Sequence, residues 1–102
     1  FKGIIAENYV LISLLQQGIS PMYWSSGNQA EIEFIMEQKG KIIPIEVKSG
    51  KSVTAKSLSE FRKKHTPELA VRLSLKNLQF RDGLLNLPLP FADKLSEYIT
   101  SK

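Results

Sequence analysis

Four charged residues interrupt the apolar pattern of one short stretch, "AEIEFIMEQKGKIIPIEVKSG", residues 30–50. They are Glu31, Glu33, Glu46 and Lys48. Carboxylates bind hard cations, and Mg²⁺ takes their oxygens at about 2.1 Å while keeping several of its waters. A lysine beside such acids holds or polarises an attacking water or a phosphate oxygen. These residue types therefore suggest metal-assisted attack on a phosphate ester. The chemistry requires that they share one surface, which is a question of strand register.

Residues 30–37 and 41–48 alternate as two strands about a Lys39-Gly40 turn. With the turn there, Phe34 faces Ile45, Ile32 faces Val47, Glu33 faces Glu46 and Glu31 faces Lys48. Side chains alternate along a strand, so Ile32, Phe34 and Met36 share a face with Ile43, Ile45 and Val47. The other face gathers Glu31, Glu33, Glu46 and Lys48. Glu33 and Glu46 would have Cβ atoms roughly 5 Å apart, and directly opposed like charges destabilise a sheet. A bound cation resolves that repulsion. A solvent-facing polar surface with a Glu31–Lys48 ion pair is the plainer alternative.

A third acid, Glu7, stands on a preceding helical pattern at i+3 from Ile4, with Val10 and Leu11 at its own i+3 and i+4 positions. An unpaired charge in or beside an apolar stripe is costly. If this helix covers the polar face of the hairpin, Glu7 joins the other acids. At the edge of the stripe it would simply be solvated.

The positioning elements follow from periodicity. Residues 2–17 predict a helix that stops at Gly18, with Ile4, Leu11, Leu14 and Leu15 as its inward stripe. "PMYWSS" predicts a short strand before the polar turn 25–28. Residues 54–64 predict a second helix, with Ser52 or Thr54 as N-cap, Leu58 and Phe61 inward, and Thr66-Pro67 ending it. Leu69, Val71, Leu73 and Leu75 alternate as a further strand, and "NLQFRDGLLNLPL" predicts a hairpin turning at Asp82-Gly83. Beyond Pro88 and Pro90 a short helix turns Phe91, Leu95, Tyr98 and Ile99 inward. The expected architecture is a single α/β domain over 1–102, with a mixed sheet, helices on both faces and a right-handed parallel crossover through the second helix.

Composition agrees. A length of 102 residues suits one core, and 42% hydrophobic with 24% charged residues suits a soluble domain. No apolar run approaches the roughly 20 residues of a membrane helix. Absence of cysteine excludes disulfides and thiolate metal sites, and suggests a cytoplasmic setting. The chain opens on Phe1, as expected of a piece of a longer protein. The net charge of +4 is concentrated between Lys39 and Lys64, where eight basic residues face Glu46 and Glu60. Within that stripe Lys51, Lys56, Lys63 and Lys64 are the candidate contacts for DNA or RNA phosphates.

A helix with an internal Glu, an acid in one strand and E-x-K in the next resembles the PD-(D/E)XK nuclease-like superfamily. The wording is closer to the domain of unknown function DUF4143, attached C-terminally to prokaryotic AAA-type ATPases. The matching words are Gly3, "ENYV" (7–10), Trp24, "EIEF" (31–34), "PIEVKSG" (44–50), "SLSEF" (57–61) and "NLP" (86–88). The resemblance implies a three-layer, restriction-endonuclease-like core and Mg²⁺- or Mn²⁺-dependent phosphodiester hydrolysis. It makes Glu33, Glu46 and Glu7 the metal ligands and Lys48 the catalytic lysine. It also implies an ATPase domain of the same chain as partner. Here Glu33 stands where the superfamily pattern has Asp, and the extra methylene moves the carboxylate by about 1.5 Å. A nuclease-like scaffold does not by itself make a nuclease. The competing expectation is a non-catalytic tail that binds nucleic acid or docks on protein.

Three other features carry less. "SGKS" (49–52) sits between a strand and a helix, but the phosphate-loop glycine expected five residues before Gly50 is Ile45. His65, the single histidine, ends the basic helix and fits a surface residue favoured by the helix dipole. Tyr23 and Trp24 suit a core or edge strand better than base stacking.

Overall fold

The computed structural model describes the backbone of residues 2–25, 31–50 and 56–100, and side chains at 3–23, 34–50 and 57–100. The chain is an α/β fold with a six-stranded mixed sheet in the order β1-β2-β3-β4-β6-β5. The strands are β1 (Met22–Ser25), β2 (Glu31–Gln38), β3 (Lys41–Val47), β4 (Ala70–Ser74), β5 (Gln79–Arg81) and β6 (Leu84–Pro88). The helices are α1 (Lys2–Gln16), α2 (Lys56–His65) and α3 (Leu95–Thr100), the last entered through a 3₁₀ segment, Leu89–Lys94. No helix among the described residues is long and apolar enough to cross a membrane.

Both expected hairpins form, for a local reason. Lys39 and Gly40 have φ of 52° and 79°, and Asp82 and Gly83 have 52° and 77°. Two successive left-handed residues make the tight turn whose twist matches paired antiparallel strands. At Gly83 the need for glycine is twofold, because a Cβ there would lie 2.9 Å from the Glu68 carbonyl oxygen.

The β2–β3 register places Phe34 opposite Ile45, Ile35 opposite Pro44 and Met36 opposite Ile43. β3 then pairs with β4 in parallel, with α2 between them in the chain. The end of the sheet departs from chain order. β6 inserts beside β4 in parallel, and β5 lies outside it as the edge strand.

Alternation sorts the sheet into two surfaces. Phe34, Met36, Ile43, Ile45, Val47, Val71, Leu73, Leu85 and Leu87 form the larger core with α1, the 3₁₀ segment and α3. On the other surface Ile35, Ala70 and the partly buried Leu84 pack with Leu58 and Phe61 of α2. Helices thus cover both faces, giving three layers.

The inward stripe of α1 is not the expected one. Ala6, Val10, Ser13 and Leu14 are buried, and Leu11 packs partly against the core. Ile4 and Leu15 stand 63% and 53% exposed. The helix is apolar on nearly every side, so periodicity alone does not choose a face. Gln17 decides part of it: its amide donates to the Ser13 and Ala92 carbonyls at 2.8 Å and accepts from the Ser96 amide at 2.8 Å. One side chain thereby ties the end of α1 to the first turn of α3. Leu95 and Ile99 of α3 are buried and Tyr98 half-buried as expected, whereas Phe91 is exposed. Leu75 likewise lies beyond β4 and is exposed. The candidate N-caps Ser52 and Thr54 lie outside the described residues.

Candidate functional site

β3 is the centre of the site because it has antiparallel β2 on one side and parallel β4 on the other. Its odd-numbered residues Ile43, Ile45 and Val47 enter the larger core, which turns Glu46 to the opposite surface. Glu46 is only 1% exposed. Its Oε1 lies 3.7 Å from Nζ of Lys48, whose side chain is 34% exposed. That separation exceeds the about 2.7–2.9 Å of a charge-assisted hydrogen bond, so the contact is Coulombic. The Lys48 amide donates to the Leu73 carbonyl at 2.8 Å, prolonging the β3–β4 ladder and fixing where the lysine leaves the sheet. The result is a carboxylate shielded from water with an ammonium at its rim, at the carboxyl end of a central strand. Open α/β sheets commonly bind ligands at such ends.

The observed register has the phase expected for the hairpin from Phe34–Ile45 to Gln38–Lys41. The side chains of Glu31 and Glu33 lie outside the described residues, so the expected Glu33–Glu46 opposition does too. Glu7 is half-buried on α1. Its helix packs on the surface of Ile45 and Val47, the side of the sheet away from Glu46. α1 therefore covers the apolar face of the hairpin, and the layer over the Glu46 face is α2. The structure brings Glu46 and Lys48 together and puts Glu7 on a helix of the other layer. Among the described residues no three Asp, Glu, His or Cys side chains converge as metal ligands.

Beside Glu46 runs a polar row that the sequence reading missed. Glu46 pairs with Arg72 across β3–β4, Arg72 with Asn86 across β4–β6, and Asn86 with Gln79 across β6–β5. Arg72 Nε donates to Asn86 Oδ1 at 2.9 Å, and the Ser74 hydroxyl donates to the same oxygen at 2.6 Å. Asn86, 2% exposed, donates from Nδ2 to the carbonyls of Lys76 and Asn77 at 3.1 and 2.9 Å. Its hydrogen-bonding capacity is used fully, which explains a buried amide in an apolar strand. The signal was present: "AVRLS" and "LLNLP" each carry a polar residue where period two turns it away from the apolar core.

Lys63 and Lys64 are exposed in the last turn of α2, with Arg62 half-buried beside them. Lys51 and the side chain of Lys56 lie outside the described residues, as does the Trp24 side chain. His65 is exposed as expected, its ring centroid 4.5 Å from that of Phe61. Tyr23 is exposed on edge strand β1, its ring 5.5 Å from that of Phe34. Lys48, Ser49 and Gly50 leave β3 without a glycine-rich loop before them, and Ile45 is buried within the strand.

A family model described as "Domain of unknown function (DUF4143)" matches residues 2–92. No curated protein and no solved structure matches the chain.

Proposed function

The chain belongs to the DUF4143 family, and from that premise we propose that it is a PD-(D/E)XK nuclease-like domain that hydrolyses phosphodiester bonds of nucleic acid with Mg²⁺ or Mn²⁺. The observation that carries the reading is Glu46, a carboxylate 1% exposed with the Lys48 ammonium 3.7 Å away at the end of β3. Burying a carboxylate costs several kcal/mol even after relaxation, and a fold seldom retains one at a strand end without use for it.

The donor set fits a hard cation of low protein-ligand count. Mg²⁺ is held by one or two carboxylates plus water. Glu46 supplies one, and continuing the observed register supplies Glu33 as the second. The metal, when bound, activates water and offsets charge at phosphorus. Lys48, half in water, orients the nucleophile or meets the developing negative charge. The exposed Lys63 and Lys64, with Lys51 and Lys56, draw the polyanion toward this surface. Glu7 is left out of the ligand set because α1 lies in the opposite layer.

The exposed apolar side of α1, with Ile4, Ile5, Ile12 and Leu15 in water, favours a second reading. In that reading the domain is a docking tail of an AAA-type ATPase and the acid–lysine pair is structural. Incubation of the chain with labelled DNA and RNA in Mg²⁺ or Mn²⁺ separates the two. Metal-dependent cleavage that disappears in both Glu46→Gln and Lys48→Met supports catalysis. Absence of cleavage together with absence of metal binding leaves the docking tail.

A further inference from the structure

A cleft of about 220 Å³ opens on the Glu46 surface of the sheet, between the β5–β6 hairpin and the end of α2, and three arginines line it: Arg62, Arg72 and Arg81. They come from three elements. Arg62 projects from α2 and donates to the Asp82 carbonyl at the hairpin turn. Arg72 rises from β4, and Arg81 from edge strand β5. Gln79 and Asn86 complete the polar lining, and Asp82 is the single acid in it.

We infer that this cleft is a binding site for a phosphate group. Three guanidiniums against one carboxylate give the lining net positive charge. The carboxylate is 88% exposed and lies 3.8 Å from Arg81 Nε, a weak surface pair that an incoming anion displaces at little cost. Guanidinium forks match phosphate oxygens in pairs, which lysines on a surface do not do. Preorganisation is visible at Arg72. Asn86 takes its Nε–H and is itself held by Ser74 and two backbone carbonyls. That bond uses one of five N–H donors and aims the rest of the fork. Asn86 is thus a positioning residue. The Arg62 contact to the hairpin turn closes the other wall.

The inference does not depend on catalysis or on metal. It has consequences for the proposed function, however, because Arg72 is the direct neighbour of Glu46 across the β3–β4 ladder. Adjacent strands lie about 4.8 Å apart, so a phosphate over Arg72 and Asn86 sits within roughly 10 Å of Glu46. A nucleic-acid strand crossing the sheet would place a non-reacting phosphate here. A free phosphate or a nucleotide is the other source of the same chemistry.

The test is titration of the chain with inorganic phosphate in EDTA, followed by amide chemical shifts and calorimetry. Shifts should concentrate at Arg72, Gln79, Arg81 and Asn86. Arg81→Gln alters a side chain 81% exposed and leaves the fold intact. It should weaken phosphate binding roughly tenfold, the usual consequence of losing a hydrogen bond to a charged group. Arg72→Lys, which keeps the charge and loses the fork, should weaken it comparably. Lys94→Gln, an equal charge change on the 3₁₀ segment, and Glu46→Gln should not. A single-stranded oligonucleotide that moves the same amides and competes with phosphate identifies a nucleic-acid backbone as the source. If it binds without moving them, the source is a free phosphate compound. Phosphate binding that is absent, or equally weak in Arg81→Gln and Lys94→Gln, overturns the site.

Discussion

Glu46 and Lys48 are two residues apart, so the pleat puts them on one side of β3, yet one is 1% exposed and the other 34%. A charge held in that way answers to a cation more than to salt. With Mg²⁺ or Mn²⁺ at a hundredfold excess over its dissociation constant, the native state should gain about 2.7 kcal/mol. Thermal unfolding with and without metal measures this. Glu46→Gln keeps the shape and removes the charge, and should lose most of the gain. Glu60→Gln on the exposed side of α2 should retain it, and so should Glu7→Gln, whose helix lies across the sheet. An identical metal response in wild type and Glu46→Gln would mark the acid as structural. The E-x-K spacing was legible because period two is local. The layer of Glu7 was not, since the face that a helix covers depends on partners far away in the chain. Arg72 and Asn86 were overlooked because each is a lone polar residue within one strand. Their meaning appears only when β4 and β6 are neighbours.

At the scale of elements, α1 shows how a helix apolar on most sides chooses its face. Leu14 is fully buried against the sheet, whereas its neighbour Leu15 is exposed. Leu14→Ala should therefore cost about 2–5 kcal/mol, as cavity-forming substitutions do. Leu15→Ala should stay within about 0.5 kcal/mol. Denaturant unfolding of the two variants reads this directly, and equal losses would refute the observed orientation. Sequence periodicity named Leu14 and Leu15 alike, because the spacing of leucines says nothing about Gln17 bridging to Ala92 and Ser96. The hairpins were legible for the opposite reason. Lys39-Gly40 and Asp82-Gly83 carry their own backbone requirement. Gly83→Ala should then be the more damaging turn substitution, by about 1–3 kcal/mol. It adds a close approach to the Glu68 carbonyl to the strain of positive φ, whereas a Cβ at Gly40 meets open space.

Across the whole molecule, the sheet order links the two charged surfaces that the linear sequence keeps apart. Placing β6 rather than β5 beside β4 brings Arg81 and Gln79 to the same face as Glu46, under the end of α2 where Lys63 and Lys64 project. No local pattern dictates that insertion. It follows from β6 being the more apolar strand, with Leu85 and Leu87 fully buried, while all of β5 is exposed at the edge. A polyanion on this face should meet lysines of the helix and arginines of the cleft together, so binding should fall steeply with salt. For a single strand the logarithm of affinity declines with the logarithm of salt by about 0.7 per neutralised phosphate. Replacing Lys56, Lys63 and Lys64 by Gln should therefore reduce the slope by about 2. Arg81→Gln added to that background should reduce it further, by less than 1, because Asp82 already screens that arginine. Fluorescence anisotropy of a labelled oligonucleotide at several salt concentrations gives both slopes. An unchanged slope in the triple variant would remove the basic helix from the interface. An unchanged slope on adding Arg81→Gln would confine the cleft to small phosphate compounds. With both unchanged, the nucleic-acid reading of this surface would fall, and the apolar side of α1 would become the principal contact of the domain.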